Sequence, residues 1–429
     1  MEFVFPLGKY KGFKLIPSTD LSQTNLQNYV PSLTGVRALA AYLVFLSHYY
    51  YNFGEIFPQS VNRLFSEFHI GVTIFFVLSG FLITYRYYNN FHLTKDWFKQ
   101  YLKNRVARIY PMYALLTIAA FAYFFITGEV DVTKGYNPWA MLVMNITFLR
   151  GFFFEFWDTG VAQGWSLTVE ECFYFSAPFA FYIAIKHKKF WLQPLVITSF
   201  AALMVLIFSH VDFFGFFGNF TFVMLFTFFG RCFEFFVGMQ LARYVLSRGT
   251  GRTNKVPYTY LGFVLIFVCA YAMSLLPIPK GFPTGLQNPF GIVINNYLLP
   301  VAIAWFFYGL LTEGSILKKF FATKTMELLG KSSYIFYLIH LGWMYLLLHG
   351  WFEKGNDYVF GLYDQWQKDW ISPFQFEWLN MTYAFIILNL VSIALFKLIE
   401  EPLNHYIRKS DFLIKNPKKN PENKAELIK

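Results

Sequence analysis

Charged residues are scarce in this chain. Asp, Glu, Lys and Arg make up 14% of its 429 residues, whereas apolar residues make up 56%. A composition so poor in charge excludes a string of ordinary soluble domains and is typical of an integral membrane protein surrounded by lipids. Nucleic-acid binding is also disfavoured, because the basic residues are scattered between apolar blocks rather than gathered on one polar domain.

Cysteine is nearly absent as well. Cys172, Cys232 and Cys269 all lie in apolar stretches, which predicts buried thiols and no disulfide framework. The chain also lacks the Cys/His spacing of metal sites, a phosphate-binding glycine loop and a Gly-x-Ser-x-Gly motif. We therefore expect no bound metal and no chemistry of the kind those motifs support.

Long apolar runs are the main feature that is present. A spanning helix needs about 20 mostly apolar residues to cross a hydrocarbon core of roughly 30 Å. Ten stretches satisfy this criterion: 33–53, 69–85, 109–127, 168–185, 191–209, 220–242, 257–276, 292–311, 333–350 and 379–399. An eleventh, Pro138 to Leu149, is too short to span. The prediction is an all-α, polytopic transmembrane bundle of about ten helices.

The distribution of lysine and arginine predicts the orientation, because short cytoplasmic loops are enriched in both. The basic positions near the first residues and after the even-numbered stretches are Lys9, Lys11, Lys14, Arg86, Lys95, Lys99, Lys103, Arg105, Lys186, Lys188, Lys189, Arg243, Arg248, Arg252, Lys255, Lys318, Lys319, Lys324, Arg408 and Lys409. The opposite loops carry fewer, and hold the acids Glu129, Asp131, Glu155, Asp158, Asp357 and Asp364. Both termini are therefore predicted to be cytoplasmic.

The two ends of the chain are polar. Residues 1–30 lack the basic start, apolar core and cleavage site of a signal peptide, so we expect the first spanning helix to direct insertion. We predict three regions: a cytoplasmic segment over 1–30, a transmembrane domain over 31–409, and a basic cytoplasmic tail over 410–429.

Ionisable residues inside apolar segments are costly unless paired or hydrated, so each suggests a functional site. Arg37 and His48 lie eleven positions apart in the first stretch. Eleven residues correspond to three helical turns plus about 20°, and to a rise of roughly 16 Å, so both side chains project from one face. His48 is a candidate base for a hydroxyl nucleophile. The alternatives are a histidine bonded to a backbone carbonyl and an arginine extended to the membrane surface.

Two further pairs of charged residues are candidates for a functional site. Arg105 and Arg108 share one helical face near the predicted cytoplasmic side, which suits a phosphorylated donor or, alternatively, a simple topological anchor. Glu170 and Glu171 lie near the start of the fourth stretch and are candidates for orienting His48 or for capping the helix. Structural roles are predicted for the remaining groups: Arg231 with Glu234, Tyr337 with His340, and the sequence EEP at 400–402, which we expect to close the tenth helix.

Together these segments resemble acyltransferase family 3, the membrane enzymes that O-acylate bacterial surface and secreted carbohydrates. The matching blocks occur in the family's order between residues 31 and about 409. They are LTGVRALA at 33–40 leading to His48, GVTIFFVLSGFL at 71–82, RVARIYPMY at 105–113, WSLTVEECFY at 165–174, RCFEF at 231–235, SYIFYLIH at 333–340 and EEP at 400–402.

The resemblance implies an acyl-CoA donor that enters from the cytoplasm. It implies that Arg37 and His48 are essential for transfer and that Arg105 and Arg108 bind the phosphates of the coenzyme. We expect acyl-CoA to dock on Arg37, Arg105 and Arg108 together, with its thioester extended toward His48. The segment from Trp165 to Glu171 would lie near the acceptor, so we expect Trp165, Ser166 and Tyr174 to contact it. Thr73 departs from the family, many of whose members have aspartate there. Many members also carry a C-terminal SGNH hydrolase-like domain, which is missing here, so we expect a stand-alone transferase.

The predicted function is that of a membrane-embedded O-acyltransferase. It would move an acyl group, with acetyl expected first, from cytoplasmic acyl-CoA to a hydroxyl of a carbohydrate, glycan or lipid-linked sugar at the outer side of the inner membrane. Its partners would be membrane lipids and that acceptor, without nucleic acid; the oligomeric state is left open. The alternative is a multi-pass transporter that uses intramembrane Arg, His and Glu as a relay.

Overall fold

The computed structural model describes residues 29–53, 56–128, 131–211, 213–249, 256–366 and 372–410, without the side chains of 363–366. Helix is the only regular secondary structure in these ranges. The helices are α1 (Pro31–Tyr49), α2 (Gln59–Ser66), α3 (Ile70–Tyr87), α4 (Lys95–Thr127), α5 (Pro138–Ile146), α6 (Trp165–Lys186), α7 (Leu192–Phe208), α8 (Phe220–Phe226), α9 (Phe228–Arg248), α10 (Tyr258–Ser274), α11 (Pro289–Val293), α12 (Leu299–Thr312), α13 (Ile316–Phe321), α14 (Lys324–Ile339), α15 (Trp343–Trp366), α16 (Glu377–Leu395) and α17 (Glu401–Lys409).

Short turns join several of these helices into longer ones. Five continuous helical stretches in the described part are long and apolar enough to cross a membrane: Gln59–Tyr87, Lys95–Thr127, Phe220–Arg248, Pro289–Thr312 and Glu377–Lys409. A sixth span forms if α14 and the following helix, which meet at 81°, are counted together. The prediction of an all-α membrane bundle is confirmed.

The other predicted segments are helical, although they do not meet the same criterion. The helices α7 and α10 have 17 residues each, a length of about 26 Å at 1.5 Å per residue. Helix α1 has 19 residues and α6 has 22, and these two carry Arg37, His48, Glu170 and Glu171 among their apolar residues. Ten spans with both termini on one side therefore stay a prediction, and the ends at 1–28 and 411–429 lie outside the described residues.

Two boundaries differ from the sequence prediction. Helix α4 begins at Lys95 rather than near residue 109, because the Thr94 side chain accepts a hydrogen bond from the Trp97 backbone and caps an earlier start. The last span does not end at Glu400: a π turn over Phe396–Glu400 leads directly into α17. Pro402 lies directly after this π turn, in the first turn of α17.

Glycines allow the central helices to approach closely. A Cβ atom on Gly80 of α3 would lie 2.1 Å from the Phe235 carbonyl oxygen of α9. In the same way, a Cβ atom on Gly238 of α9 would lie 2.0 Å from the Val77 carbonyl oxygen of α3. Small residues at such crossings permit backbone contact between helices, which is a main source of association within membranes. The crossing fixes the position of α3, one wall of the cavity described below.

Helix α14 runs alongside α1 in the same direction. Gly330 near the start of α14 packs against the Thr34 backbone, and His340 just past its end contacts His48. The chain then bends sharply through Gly342, whose φ of +82° favours glycine because a side chain would be strained there. This bend stops α14 at the level of His48 and turns the chain aside.

Candidate active site

Helices α1, α3, α4, α6 and α14 surround a cavity that is partly open to the outside. Apolar residues form much of the wall. The polar and charged side chains in it are Arg37, Ser79, Arg105, Arg108, Ser166, Glu170, Tyr174, Tyr334 and Tyr337. Such a concentration of ionisable groups within a helical membrane bundle marks a functional site.

Three arginines line this cavity, and their partners differ. Arg108 donates to Glu400 at 2.8 Å. Arg105 lies 3.4 Å from the Tyr87 hydroxyl, and its guanidinium is 5.6 Å from the centre of the Tyr174 ring, within cation–π distance. Arg37 has no hydrogen bond or ion pair to any described residue, and its Nε atom is buried. The three arginines that the sequence hypothesis placed together on the donor thus line one cavity.

The carboxylate of Glu170 lies among these arginines. It accepts hydrogen bonds from the hydroxyls of Ser79 and Tyr174, the latter at 2.5 Å. Glu170 also interacts electrostatically with Arg37. Its position five residues into α6, together with these two hydroxyl partners, makes it a counter-charge within the cavity rather than a cap for the helix start.

Neither predicted acid reaches His48. Glu171 is half-buried and interacts electrostatically with Arg105, one of the cavity arginines. The hydrogen bonds of His48 go instead to the Val44 carbonyl oxygen, at 2.9 Å, and to His340, at 3.2 Å. The hypothesis that Glu170 or Glu171 orients His48 is therefore wrong in this structure. The described contacts of the two acids are instead Ser79 and Tyr174 for Glu170, and Arg105 for Glu171.

His48 lies just beyond the far end of the cavity. Ser166 and Tyr337 line that end, where the tyrosine hydroxyl donates to the Ser166 hydroxyl at 2.9 Å. The Tyr337 ring lies 5.7 Å from the ring of His340, which in turn is 5.2 Å from the ring of His48. We call this the histidine end, and the region of Arg37, Arg105 and Arg108 the arginine end.

The three residues predicted to contact the acceptor are divided by the fold. Ser166 and Tyr174 line the cavity. Trp165 does not belong to the lining: its indole packs edge-on against the Phe226 ring at 4.9 Å. Trp165 is the first residue of α6, and neighbouring residues on a helix are rotated by about 100° from each other. Its side chain therefore packs among aromatic rings while that of Ser166 lines the cavity.

Several residues of this site were not expected from the sequence to take part in it. Structural roles were predicted for Glu400, Tyr337 and His340, and no role was predicted for Ser79 or Tyr334. All five lie in the blocks GVTIFFVLSGFL, SYIFYLIH and EEP, each of which contributes a residue to the cavity or to its arginine and histidine partners. Spacing along one helix cannot reveal these contacts, because each joins different helices.

Arg231 and Glu234 form a second buried network, outside the cavity lining. They form a salt bridge within α9, as the spacing predicted. Arg231 also donates to the Thr73 hydroxyl at 3.0 Å, and Thr73 donates to the Asn295 side chain at 3.0 Å. Thr73 thus occupies a place where an aspartate would add a second negative charge beside Arg231. Since Glu234 already balances Arg231, the threonine completes the network without a charge.

No group of three His, Cys, Asp or Glu side chains within the described ranges is arranged to hold a metal ion. The site therefore consists of arginines, one cavity carboxylate, hydroxyls and a histidine pair. It lies inside a helical bundle that has several membrane-spanning helices. These features define a multi-pass membrane protein with an internal cavity lined by charged groups.

Comparison with known proteins identifies the family. The model of the acyltransferase domain family, acyltransferase 3, matches residues 30–397, most of the chain. The protein therefore belongs to this acyltransferase family. The family predicted from the ordered sequence blocks is confirmed.

Two curated relatives agree with this assignment. The chain is 28% identical over 156 residues to Acyltransferase MdmB of Streptomyces mycarofaciens, a match that covers 35% of this chain and 38% of the relative. It is also 28% identical over 180 residues to Peptidoglycan O-acetyltransferase OatA of Listeria monocytogenes, covering 38% of this chain and 26% of the relative. The matches thus span well under half of either relative. No solved structure matches the chain significantly.

Proposed function

We propose that this enzyme transfers an acyl group from acyl-CoA to a hydroxyl of a glycan or lipid-linked sugar. The observation that carries the proposal is the set of Arg37, Arg105 and Arg108 around one cavity, where Arg37 forms no hydrogen bond or ion pair with a described residue. Three guanidinium groups around one cavity exceed the charge of the single cavity carboxylate, Glu170, and buried charges in a membrane bundle are usually retained for function. The phosphates of coenzyme A are anions of the required kind.

The donor would lie along the length of the cavity. Its phosphates would bind at the arginine end, and the thioester would extend toward Ser166 and Tyr337 at the histidine end. Arginine suits this task because its planar guanidinium forms paired hydrogen bonds with phosphate oxygens. The arginine end would face the cytoplasm, where acyl-CoA is made, since Arg86, Lys95 and Arg408 belong to the predicted cytoplasmic loops.

The transfer itself would use His48. The free Nε2 atom of its imidazole would accept the proton of the acceptor hydroxyl while the hydroxyl oxygen attacks the thioester carbonyl. As the carbon–sulfur bond breaks, the leaving thiolate would take that proton from His48, so that an ester and free coenzyme A are formed. In a second route, His48 would carry the acyl group briefly before passing it to the acceptor.

One curated relative supports a choice of acyl group and acceptor. One is named a peptidoglycan O-acetyltransferase, which supports acetyl as the transferred group and a glycan as the acceptor. An acceptor of this kind lies outside the cytoplasm, so the enzyme would act in the inner membrane with its histidine end toward the outer side. The His48 side chain is half-buried, so an acceptor hydroxyl could approach it without unfolding of the bundle.

The test measures the thiol released from acetyl-CoA by membranes that contain the protein, with crude envelope glycans as acceptor. We expect wild type to release thiol, and His48→Ala to lose at least roughly 100-fold in rate, because a general base contributes about 10²–10⁴. Arg37→Ala should also lose thiol release, because the donor phosphates lose one of their guanidinium partners. His187→Ala is the matched control, since that histidine is exposed at the end of α6. Equal thiol release by wild type and His48→Ala at equal expression would overturn the proposal.

A further inference from the structure

His340 occupies a fully buried position at the end of α14. Its Nδ1 atom lies 2.8 Å from the Tyr337 carbonyl oxygen, one turn back along the same helix. Its Nε2 atom lies 3.2 Å from Nδ1 of His48. The imidazole thus bridges a backbone carbonyl and the proposed base.

These contacts determine where the protons lie. A carbonyl oxygen only accepts hydrogen bonds, so Nδ1 of His340 carries a proton. In a neutral imidazole the other nitrogen is then an acceptor, and Nδ1 of His48 must donate to it. The Val44 carbonyl oxygen, 2.9 Å away, shares the same proton. Nε2 of His48 is consequently left with a lone pair, and it has no hydrogen-bond partner among the described residues.

We infer that His340 is a positioning residue for His48: it accepts the Nδ1 proton and holds the ring so that the Nε2 lone pair faces the acceptor hydroxyl. This inference rests on the proposed function, in which His48 is the base. It assigns to a second histidine the orienting task that the sequence had led us to expect of Glu170 or Glu171.

The surroundings of His340 hold it firmly enough for this task. Its ring stacks on Phe336 with a centroid distance of 6.0 Å and an interplanar angle of 7°. Its backbone carbonyl accepts a hydrogen bond from the Tyr49 hydroxyl at 2.6 Å. Tyr49 follows His48 in α1. Two consecutive side chains of α1 are therefore bonded to His340, that of His48 to its ring and that of Tyr49 to its backbone carbonyl. An orienting group is effective only when it is itself fixed in this way.

A neutral imidazole suits this buried position better than a carboxylate. A carboxylate without a cationic partner is strongly disfavoured in an apolar interior. His340 accepts the same proton at no cost in charge while His48 is neutral. When His48 gains a second proton from the acceptor, the bond to His340 becomes charge-assisted and therefore stronger. The contact thus stabilises the charged state of His48 during the reaction more than its resting state.

Three substitutions separate this role from simple packing. His340→Gln places an amide oxygen near the position of the imidazole Nε2 atom, so it can still accept from His48. His340→Met has nearly the same length and shape but no such acceptor. His340→Asn reaches only the Nδ1 position, so it can bond the Tyr337 carbonyl but not His48. The backbone bond from Tyr49 is retained in all three.

The measurement is kcat and KM for acetyl-CoA in membranes, alongside wild type and His48→Ala. We expect His340→Met and His340→Asn to lower kcat at least roughly 10-fold with KM within about two-fold of wild type, the pattern of a contact that acts in the transition state. His340→Gln should recover most of the lost kcat. The thermal midpoint in detergent shows whether each variant is folded. If His340→Met does not fold, the comparison of kcat between His340→Asn and His340→Gln tests the inference.

The outcomes are distinguishable. Wild-type kcat in both His340→Met and His340→Asn would overturn the inference while leaving His48 as the base. Equal impairment of the Gln and Met variants, at equal folded amounts, would also overturn it, since an acceptor for His48 would then make no difference. If His48→Ala itself releases thiol like wild type, the proposed function fails, and the role of His340 fails with it.

Discussion

The guanidinium of Arg108 donates to the carboxylate of Glu400 at 2.8 Å, although the two residues are 292 positions apart in the chain. Glu400 is almost fully buried, whereas Arg108 is about one quarter exposed and lines the cavity. The π turn over Phe396–Glu400 directs the carboxylate at α4, and π turns of this kind often occur at functional sites. The acid thus holds one cavity arginine in place.

The Arg108–Glu400 pair should affect both stability and donor binding. We expect Glu400→Leu to lower the free energy of unfolding by about 1–3 kcal/mol, because the arginine loses its charged partner. It should also raise KM for acyl-CoA, because Arg108 is no longer held toward the phosphates. Glu400→Gln keeps an acceptor and should show a smaller effect on both. The thermal midpoint in detergent and steady-state kinetics test this; wild-type KM in Glu400→Leu would contradict the assignment.

Arg37 and Arg231 should respond in opposite ways to replacement by methionine. Arg37 forms no hydrogen bond or ion pair with a described residue, so Arg37→Met should leave the thermal midpoint unchanged or higher while thiol release is lost. Arg231 is paired with Glu234 and bonded to Thr73, so Arg231→Met should cost about 3–5 kcal/mol by leaving a buried carboxylate unpaired. Marked destabilisation by Arg37→Met would indicate a structural role instead.

The Thr73 hydroxyl should matter through its hydrogen bonds. Thr73→Val preserves the shape of the side chain but leaves Arg231 without one acceptor and Asn295 without a donor. We expect it to lower the free energy of unfolding by about 1–3 kcal/mol, whereas Thr73→Ser, which keeps the hydroxyl, should cost much less. Chemical or thermal unfolding in detergent measures the difference. Equal stability of the two variants would show that the network does not depend on this hydroxyl.

The crossing of α3 and α9 should not tolerate a side chain at Gly80. A Cβ atom there would lie 2.1 Å from the Phe235 carbonyl oxygen, so Gly80→Ala must separate the two helices. We expect loss of folded protein and of thiol release together. Gly314→Ala is the control, because a Cβ atom at Gly314 meets nothing within 4 Å. Detergent size-exclusion profiles of the two variants test this, and a monodisperse, active Gly80→Ala would contradict the expected close contact.

Much of the architecture follows from the sequence alone. Apolar stretches of about 20 residues predict helices in a membrane. Apart from a closed β-barrel, only a helix satisfies all backbone hydrogen bonds within lipid. The spacing of Arg37 and His48 predicts one helical face, and indeed Arg37 lines the cavity while His48 lies next to its far end. Family membership, too, was foreseen from the ordered blocks and is confirmed over residues 30–397.

The partners of the ionisable groups were decided only by the tertiary structure. Periodicity describes which residues share a face of one helix, but it does not say which helix that face meets. For this reason the sequence assigned Glu170 or Glu171 to His48, whereas the fold places Glu170 among the cavity arginines and gives His48 a histidine partner from α14. Contacts between residues nearly 300 positions apart depend on how the helices pack, and packing in turn depends on close crossings such as Gly80 against Phe235.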